Sequence, residues 1–259
     1  MDLGIAGRKA IICASSRGLG RGCAVALAEA GCDVVVNGRD RVSLDRTAEE
    51  IAKRFAVEVK TVAADVSTAD GQAALLEACP APDILVNNNG GPPRRNFREL
   101  DREKILAGVV QNMVTPIELI RAVVDGMIGR KFGRIVNITS FSVLAPIPGL
   151  DLSSGARAGL TAFLAGVCRE FADRNVTVNH LLPGKMATER MTAGWKWASE
   201  TTGRSIEDLS AETIAGIPAK RLGTAEEFGR VCAFLCSVHA GYITGQNILV
   251  DGGNFARAF

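Results

Sequence analysis

The sequence predicts an α/β fold in which a doubly wound parallel sheet of about seven strands carries helices on both faces. Short apolar runs rich in Val and Ile recur along the whole chain, and stretches with helical spacing separate one run from the next. Strands that alternate with helices form βαβ units, whose right-handed crossovers make the strands parallel. A chain of 259 residues without a linker or repeat is expected to fold as one domain covering residues 1–259.

The predicted strands are almost wholly apolar, as expected for strands that helices cover on both faces. In chain order they are KAIICA, DVVVNGR, EVKTVAADV, DILVNNNG, GRIVNITS, NVTVNHLLPG and NILVDGG. The predicted helices between them include GRGCAVALAEAG, which stops at Gly31, RVSLDRTAEEIAKRF, EKILAGVVQNMVTPIELIRAVVDGMI and SGARAGLTAFLAGVCREFADR. The regular alternation of these elements predicts one continuous sheet.

Residues 188–217 interrupt this alternation with a polar stretch that is helical in pieces and contains both tryptophans, Trp195 and Trp197. A surface helical hairpin and a lid over a binding pocket are both compatible with the stretch. We favour a lid, because the stretch follows the C-terminal end of a predicted strand, where open α/β sheets bind their ligands. Residues 188–217 are called the lid segment below.

The composition argues against several classes of partner and site. The formal net charge is only +2 and no basic tract contains interleaved aromatic residues, so we expect neither a nucleic-acid nor a membrane partner. No apolar run approaches the ~20 residues of a membrane span, and the N-terminal stretch lacks the pattern of a signal peptide. Seven irregularly spaced cysteines and two histidines indicate reduced thiols in the cytoplasm and no metal site.

A glycine-containing loop, ASSRGLG at residues 14–20, links the first predicted strand to the first predicted helix. Gly18 and Gly20 allow a tight turn and a close approach of the backbone to a diphosphate. The start of the helix adds free N–H groups and the positive end of the helix dipole. This strand–loop–helix context predicts that the glycine loop, residues 14–20, binds a dinucleotide on a Rossmann-type sheet.

The end of the second predicted strand indicates which dinucleotide is bound. Enzymes that select NAD usually place a carboxylate there for the ribose 2′-hydroxyl, whereas this sequence has Asn37, Gly38 and Arg39. A guanidinium in that place suits a 2′-phosphate, and Arg17 in the glycine loop can supply a second contact to it. We therefore expect NADP(H) to be bound in preference to NAD(H).

Further motifs follow the glycine loop in a fixed order along nearly the whole chain. They are Asp65 and Val66, NNNG at 87–90, Asn112, Ser140 at the end of GRIVNITS, Pro183 and Gly184 with Thr188, and TGQNILVDGG at 244–253. This series resembles the short-chain dehydrogenase/reductase family, especially its branch of 3-oxoacyl-carrier-protein reductases. The resemblance implies an NADP(H)-dependent oxidoreductase that interconverts a small carbonyl compound and its alcohol.

The resemblance also implies a role for each matching residue. The cofactor-binding residues would be Ala14, Ser16, Arg17, Gly18, Leu19, Gly20, Arg39, Asp65, Val66, Asn87, Gly90, Pro183, Gly184, Met186 and Thr188. The catalytic positions would be Asn112, Ser140, Ser153 and Arg157. The small-molecule substrate would lie among Gly91, Pro92, Pro93, Phe141, Val143, Ile147 and the lid tryptophans. A homotetramer would form through residues 105–128, residues 153–173 and the C-terminal segment.

Several positions depart from the family pattern. Ala14 replaces the first glycine of the loop, and its added methyl group near the diphosphate is tolerated if φ is negative there. Asn89 replaces the alanine of the family's NNAG motif, where an amide can reach the substrate. The family's catalytic tyrosine and lysine fall on Ser153 and Arg157 when RAGL is aligned with the family's KAGL.

The last two replacements separate two catalytic roles. In the family, the tyrosine gives a proton to the carbonyl oxygen, and the lysine binds the nicotinamide ribose and lowers the pKa of the tyrosine. Ser153 is shorter and far less acidic than a tyrosine, and the neighbouring Ser154 shares both defects. Arg157 keeps a positive charge that can bind ribose hydroxyls and stabilise an oxyanion, but it stays protonated and is a poor proton relay.

Three interpretations of this altered site remain open. The chain is a reductase in which Ser140 and Arg157 polarise the carbonyl, while water, Asp151, His180 or Lys185 supplies the proton. Alternatively, it is a cofactor-binding enzyme with lyase or isomerase chemistry, or a catalytically silent NADP-binding subunit or sensor. We favour the reductase, because the cofactor motifs and the polarising residues are retained.

Overall fold

The computed structural model describes residues 1–256 and contains a sheet of seven strands in the order β3-β2-β1-β4-β5-β6-β7. The strands are β1 (Lys9–Ile12), β2 (Asp33–Gly38), β3 (Val59–Ala63), β4 (Ile84–Asn87), β5 (Gly133–Ile138), β6 (Val176–Pro183) and β7 (Asn247–Val250). All neighbouring strands pair in parallel, which confirms the predicted doubly wound sheet. The strand order reverses between β1 and β4, so a binding crevice is expected at the C-terminal ends of these strands.

Nine α-helices connect the strands within residues 1–256. They are α1 (Gly18–Glu29), α2 (Arg41–Arg54), α3 (Ala69–Ala78), α4 (Arg102–Val109), α5 (Thr115–Arg130), α6 (Asp151–Val167), α7 (Glu189–Thr202), α8 (Ile206–Gly216) and α9 (Ala225–Cys236). Thr68, Asp101 and Thr224 fix the starts of α3, α4 and α9, because each side chain accepts a hydrogen bond from a backbone N–H three residues on. The lid segment therefore consists mainly of α7 and α8.

Two hydrophobic layers cover the sheet, one on each face. Alternate residues of a strand enter opposite layers, as the pleat requires: Ile12 packs with α1, α2 and α9, whereas Ile11 packs with α3, α5 and α6. Helices α1 and α9 cross in close contact, since a Cβ atom at Gly22 or Gly229 would lie 2.1 Å from a backbone oxygen of the other helix. These layers hold the strand ends, and the loops that leave them, in fixed positions.

Helices α4 and α5 form one continuous helix through a π-helical turn at Val110–Val114. The 29-residue helix Arg102–Arg130 has the length and the mean hydropathy (1.2) of a membrane span, although no run of this kind is expected from the sequence. Leu119, Val123 and Met127 on α5 are buried in the layer against the sheet. This is the position of a core helix, because the apolar face is covered by the chain itself.

Candidate active site

A cleft of about 1290 Å³ opens between the loops that follow β1, β2, β3, β4, β5 and β6 and the helix α7. This volume exceeds the ~300–1,000 Å³ of most small-molecule sites, so the cleft has room for a dinucleotide and a substrate together. Arg39 and Asp65, which follow β2 and β3, line one side of the cleft. Ser140, Arg157 and Lys185 line the side near β5 and β6.

The glycine loop leaves β1 through Ala14, whose φ of 43° is in the left-handed region. The negative φ at which the methyl group of Ala14 would be tolerated is therefore not the conformation observed. The turn requires the conformation that glycine adopts freely, and Ala14 adopts it at a steric cost. Gly18 also has a positive φ, of 58°, and a Cβ atom at Gly20 would lie 2.4 Å from the Ala14 carbonyl oxygen. The loop is thus closed tightly onto the start of α1.

Asn37, at the end of β2, fixes the start of the glycine loop through side-chain hydrogen bonds. Its Oδ1 accepts a hydrogen bond from the Ala14 N–H at 3.0 Å, and its Nδ2 donates to the carbonyl oxygens of Val62 and Ala64. Arg17 precedes α1 and makes no side-chain capping bond to it within the described residues. The first N–H groups of α1 are therefore free to bind an anion such as a diphosphate, so the loop fits a dinucleotide.

The two arginines predicted to meet at a 2′-phosphate both line the cleft, but each has a different partner. Arg39 contacts Asp65 at 3.5 Å, and the pKa of Asp65 is lowered by a hydrogen bond from the Ser67 hydroxyl and, to a smaller extent, by Arg39. Arg17 donates instead to Oε2 of Glu189, at 2.9 Å, at the start of α7. Arg17 thus links the glycine loop to the lid segment, and in this state the two guanidinium groups do not share a site.

Arg157 points from α6 into the cleft, and its guanidinium is held from within the protein. Nη1 donates to the Ile138 carbonyl oxygen at 2.5 Å, and Nε donates to the Ser153 hydroxyl at 3.3 Å. Nη2 has no partner within residues 1–256, which leaves it for a ligand. Burial and the positive charge of Arg190 lower the pKa of Arg157 to about 10, so it remains charged at neutral pH.

Ser140 and Lys185 follow the ends of the neighbouring strands β5 and β6, and both line the same cleft as Arg157. The Ser140 hydroxyl oxygen accepts hydrogen bonds from the Ser142 N–H at 3.0 Å and from the Ser142 hydroxyl at 2.9 Å, so its own proton can be donated into the cleft. Lys185 follows β6, and no hydrogen bond or ion pair within the described part of the chain engages its amine. Burial lowers the pKa of Lys185, and the positive charge of Arg94 lowers it further.

Residues 13–254 match the family model described as Enoyl-(Acyl carrier protein) reductase. The NADPH-dependent reductase BacG of Bacillus subtilis (strain 168) is 31% identical over 95% of this chain and 97% of that protein. The 3-oxoacyl-[acyl-carrier-protein] reductase FabG of Aquifex aeolicus is 32% identical over 98% of this chain and 100% of that protein. This chain belongs to the short-chain dehydrogenase/reductase family.

Solved structures of short-chain dehydrogenases/reductases share the whole architecture. L-sorbose reductase from Gluconobacter frateurii, complexed with NADPH and L-sorbose, matches with a TM-score of 0.92 at 29% identity, covering 99% of this chain and 100% of that one. YwfH, an NADPH-dependent reductase involved in bacilysin biosynthesis, matches with a TM-score of 0.89 at 31% identity, covering 97% of this chain and 100% of that one. NADPH, the cofactor expected from the sequence, is the one named for both of these relatives.

Most residues that the short-chain dehydrogenase/reductase resemblance assigns to the cofactor line the cleft. They are Ala14, Ser16, Arg17, Gly18, Leu19, Arg39, Asp65, Val66, Gly90, Pro183, Gly184, Met186 and Thr188. Gly20 and Asn87 lie behind its wall. Gly20 gives the loop room to close, and Asn87 donates a hydrogen bond to Asn137 at 2.9 Å that ties β4 to β5. These two residues shape the cleft without lining it.

Asn112 does not line the cleft, in contrast to the catalytic role implied by the short-chain dehydrogenase/reductase motif. It is buried in the π-helical turn, where its Nδ2 donates to the Gly108 carbonyl oxygen at 3.2 Å and its Oδ1 has no partner within residues 1–256. This turn packs against α6, where the absence of a Cβ at Gly159 leaves room for Met113. The turn that carries Asn112 therefore contacts the helix that carries Arg157.

Two of the three candidate proton donors are excluded from direct contact with a ligand. Asp151 is exposed in the first turn of α6, and His180 is buried in the middle of β6; neither lines the cleft. Burial lowers the pKa of His180 to about 4, so this histidine is neutral at pH 7. Lys185 is the candidate that remains, because it lines the cleft and carries an unengaged amine.

The predicted substrate walls are largely present. Gly91, Pro92, Pro93, Phe141, Ile147 and Trp197 line the cleft. Val143 and Trp195 do not line it, and the Trp195 indole N–H donates to the Thr213 hydroxyl, which joins α7 to α8. Helical geometry points the two tryptophans in different directions, because residues two apart do not share a helix face. Asn89 lines the cleft, but its Nδ2 donates to the Gln111 carbonyl oxygen.

Sequence reasoning missed Arg94 and Arg190, which both line the cleft. Arg190 extends from α7, and its guanidinium donates to the carbonyl oxygens of Gly91 and Pro92 at 3.0 and 3.3 Å. Arg94 donates to the Pro148 carbonyl oxygen at 2.8 Å. The only signal in the sequence was basic residues in two segments already predicted to border the substrate.

Proposed function

We propose that this chain is an NADP(H)-dependent oxidoreductase that interconverts a small carbonyl compound and its alcohol, with Lys185 in place of the family's tyrosine as the proton donor. The proposal rests on one observation, the types of side chain that line the cleft. Among residues 1–256, its wall contains a fixed arginine, a serine hydroxyl and an unengaged lysine, but no tyrosine, histidine or cysteine. The names of the reductases that this chain resembles support the reaction class.

In this mechanism Ser140 and Arg157 polarise the carbonyl. The Ser140 hydroxyl donates a hydrogen bond to the carbonyl oxygen, and Nη2 of Arg157 stabilises the negative charge that develops there. The interaction of Nε with Ser153 keeps the guanidinium in place, so Ser153 is a positioning residue. The glycine loop, Arg39 and Thr188 bind the dinucleotide, whose nicotinamide supplies the hydride to the carbonyl carbon when it is bound.

Lys185 completes the reduction by transferring a proton from its ammonium group to the carbonyl oxygen, directly or through one water molecule. The C=O π bond is thereby replaced by a C–H and an O–H bond. A lowered pKa makes the ammonium a better acid at physiological pH than an ordinary lysine. The reverse oxidation uses the neutral amine as the base. Charge is conserved, because Lys185 loses one positive charge with its proton and the reduced cofactor, when bound, would gain one on giving up its hydride.

The test is NADPH oxidation over a panel of small ketones and aldehydes, with its pH dependence. The acid must be protonated, so kcat for reduction is expected to decline as the pH rises through the lowered pKa of Lys185. Lys185→Met should reduce kcat about 10²–10⁴-fold, the usual contribution of general acid–base catalysis. Lys185→Arg should retain part of the charge stabilisation and remove the alkaline decline. Lys196→Met, at an exposed lysine of α7, is the matched control.

Other outcomes of the same experiment would support one of the two other interpretations of the site. Tight NADPH binding with no oxidation by any carbonyl compound would show a silent NADP-binding subunit or sensor. Product formation without cofactor turnover would show lyase or isomerase chemistry. A Lys185→Met variant with an unchanged kcat and pH profile would exclude Lys185 as the donor.

We further propose that the whole chain, residues 1–259, acts as one catalytic domain in a cytoplasmic homotetramer. The seven cysteines are free and buried, as expected for a reducing compartment. Exposed apolar side chains of Ile105, Leu106, Val110 and Phe163 lie on the helices that the family resemblance assigns to subunit contacts. The last three residues of the C-terminal segment, 257–259, lie outside the described residues.

A further inference from the structure

The substrate side of the cleft has an excess of positive charge. The acidic residues that line the cleft all have partners: Asp40 with Ser43, Asp65 with Arg39, Glu189 with Arg17, and Glu226 with Arg21. Four further cations line the cleft, namely Arg94, Arg157, Lys185 and Arg190. None of these four has an ion-pair partner within residues 1–256. They are called the cation cluster below.

Two members of the cation cluster meet on one face of α7. Arg190, Gly194 and Trp197 lie four and three residues apart, a spacing that aligns side chains along a helix. A Cβ atom at Gly194 would lie 3.4 Å from Nε of Arg94, and the Arg94 guanidinium lies 5.6 Å from the Trp197 ring. The side chain of Arg94 therefore lies along the face of α7 that carries Arg190. The lid segment thus brings the two guanidinium groups near each other.

Within residues 1–256, the hydrogen bonds of these guanidinium groups go to backbone carbonyl oxygens and to no carboxylate. Arg190 donates to Gly91 and Pro92, and Arg94 donates to Pro148, so each keeps its full charge and further N–H groups. A Cβ atom at Gly91 would lie 2.7 Å from Nη2 of Arg190, so a glycine is needed for this approach. Desolvation of its guanidinium lowers the pKa of Arg190, and the positive charge of Arg94 lowers it further, so the two like charges repel each other. Such an arrangement is stabilised by an anionic ligand.

The surroundings of the cation cluster indicate the substrate and not the cofactor as its ligand. Arg94 and Arg190 contact Gly91, Pro92 and Trp197, which are walls of the expected substrate pocket. The diphosphate of the dinucleotide has a separate site at the start of α1, where the backbone N–H groups are free to bind it. Guanidinium pairs also match the planar, two-oxygen geometry of carboxylates and phosphates.

We propose that Arg94 and Arg190 bind a carboxylate or phosphate group of the substrate, with Lys185 and Arg157 next to its reacting carbonyl. The substrate is then an anionic oxo compound or hydroxy compound, such as an oxo acid or a phosphorylated ketose. This inference rests on the proposed reductase function for the identity of the reacting group. The anion site itself does not depend on catalysis and can be measured by binding.

Binding of matched charged and neutral probes by isothermal titration calorimetry tests the anion site. The NADP⁺-saturated protein is titrated with acetoacetate and ethyl acetoacetate, and with dihydroxyacetone phosphate and dihydroxyacetone. At least one anion should bind tenfold or more tightly than its neutral counterpart. The pair that shows this preference distinguishes a carboxylate from a phosphate ligand. Arg190→Met and Arg94→Met should each weaken that binding tenfold or more.

Matched controls come from neighbouring cations that do not line the cleft. Lys196→Met on α7 and Arg95→Met beside Arg94 should change the same dissociation constant less than twofold. Equal binding of charged and neutral probes in both pairs would overturn the inference. Anion binding that NADP⁺ saturation abolishes would also overturn it, since the cluster would then belong to the cofactor phosphates. If the reductase proposal alone is wrong, the protein will bind the anions selectively but will not oxidise NADPH.

Discussion

Ala14 shows how a single residue departs from the family pattern without disrupting the loop that it begins. Its left-handed backbone conformation is fixed by the hydrogen bond from its N–H to Asn37 and by the packing of its carbonyl oxygen against Gly20. An L-residue is strained in this region by contact of its Cβ with the backbone. The strain persists because the surrounding contacts determine the turn.

Replacement of Ala14 by glycine should therefore stabilise the protein. Release of the strain is offset in part by the greater backbone freedom of glycine in the unfolded chain, so we expect a net gain of about 0.5–1 kcal/mol. Urea denaturation measures this gain. Ala30→Gly, at a φ of −81°, is the control and should be destabilising. A loss of stability in Ala14→Gly would contradict the strained conformation.

His180 should make stability depend on pH between its two pKa values. Its pKa is about 4 in the folded protein against an ordinary 6.5, because burial disfavours the charged imidazolium. The unfolded chain thus binds a proton that the folded chain does not. The contribution of neutral His180 to the free energy of unfolding is fully present above about pH 6.5. It is lost as the pH falls to about 4, which lowers the free energy of unfolding by up to about 3 kcal/mol.

The His180→Leu variant isolates this contribution. The slope of its unfolding free energy against pH, measured by urea denaturation, should be shallower than that of the wild type between pH 4 and 6.5. His239→Asn, which removes the histidine that lies at the surface and contacts the Asp2 carbonyl oxygen, is the control for the loss of an imidazole. Identical slopes for His180→Leu and the wild type would show that His180 takes up a proton as readily in the folded state as in the unfolded chain.

At the scale of secondary-structure elements, the lid segment has one direct side-chain link to the glycine loop. The Arg17–Glu189 ion pair joins the residue before α1 to the first turn of α7. Both side chains are largely exposed, so solvent screening limits the pair to less than about 1 kcal/mol. The link is thus weak enough to open and close with ligand exchange.

Glu189→Gln should loosen α7 without unfolding the protein. Hydrogen–deuterium exchange of amides in α7 should become up to about fivefold faster, which corresponds to a loss of less than about 1 kcal/mol. High salt should have the same effect on the wild type, since it screens exposed charges. Glu200→Gln, at an exposed glutamate further along α7, should leave the exchange rates unchanged. Equal rates in both variants would show that the ion pair does not restrain the lid segment.

At the scale of the whole molecule, α4, the π-helical turn and α6 present an apolar surface to solvent. The exposed fractions of Leu106 and Phe163 are 52% and 49%. The proposed tetramer would bury these side chains against a second copy of the chain. Phe163→Glu should therefore yield smaller species, measured by size-exclusion chromatography with light scattering. Val42→Glu on α2, outside the proposed contacts, should leave the molar mass unchanged. A monomeric wild type would contradict the proposal.

The sequence by itself determined the sheet, its parallel order and the positions of the glycine loop, Ser140 and Arg157, because strand alternation and short motifs are local patterns. It also predicted that Ser153 is too short and too weakly acidic to act as the family's tyrosine does, since this follows from the chemistry of one side chain. Only the tertiary structure decided the left-handed turn at Ala14. It also decided that Asn112 lies behind the cleft wall, that Lys185 lines the cleft and His180 does not, and that Arg94 and Arg190 meet on α7. These outcomes depend on the directions of side chains from elements distant in sequence, and packing of the whole chain sets those directions.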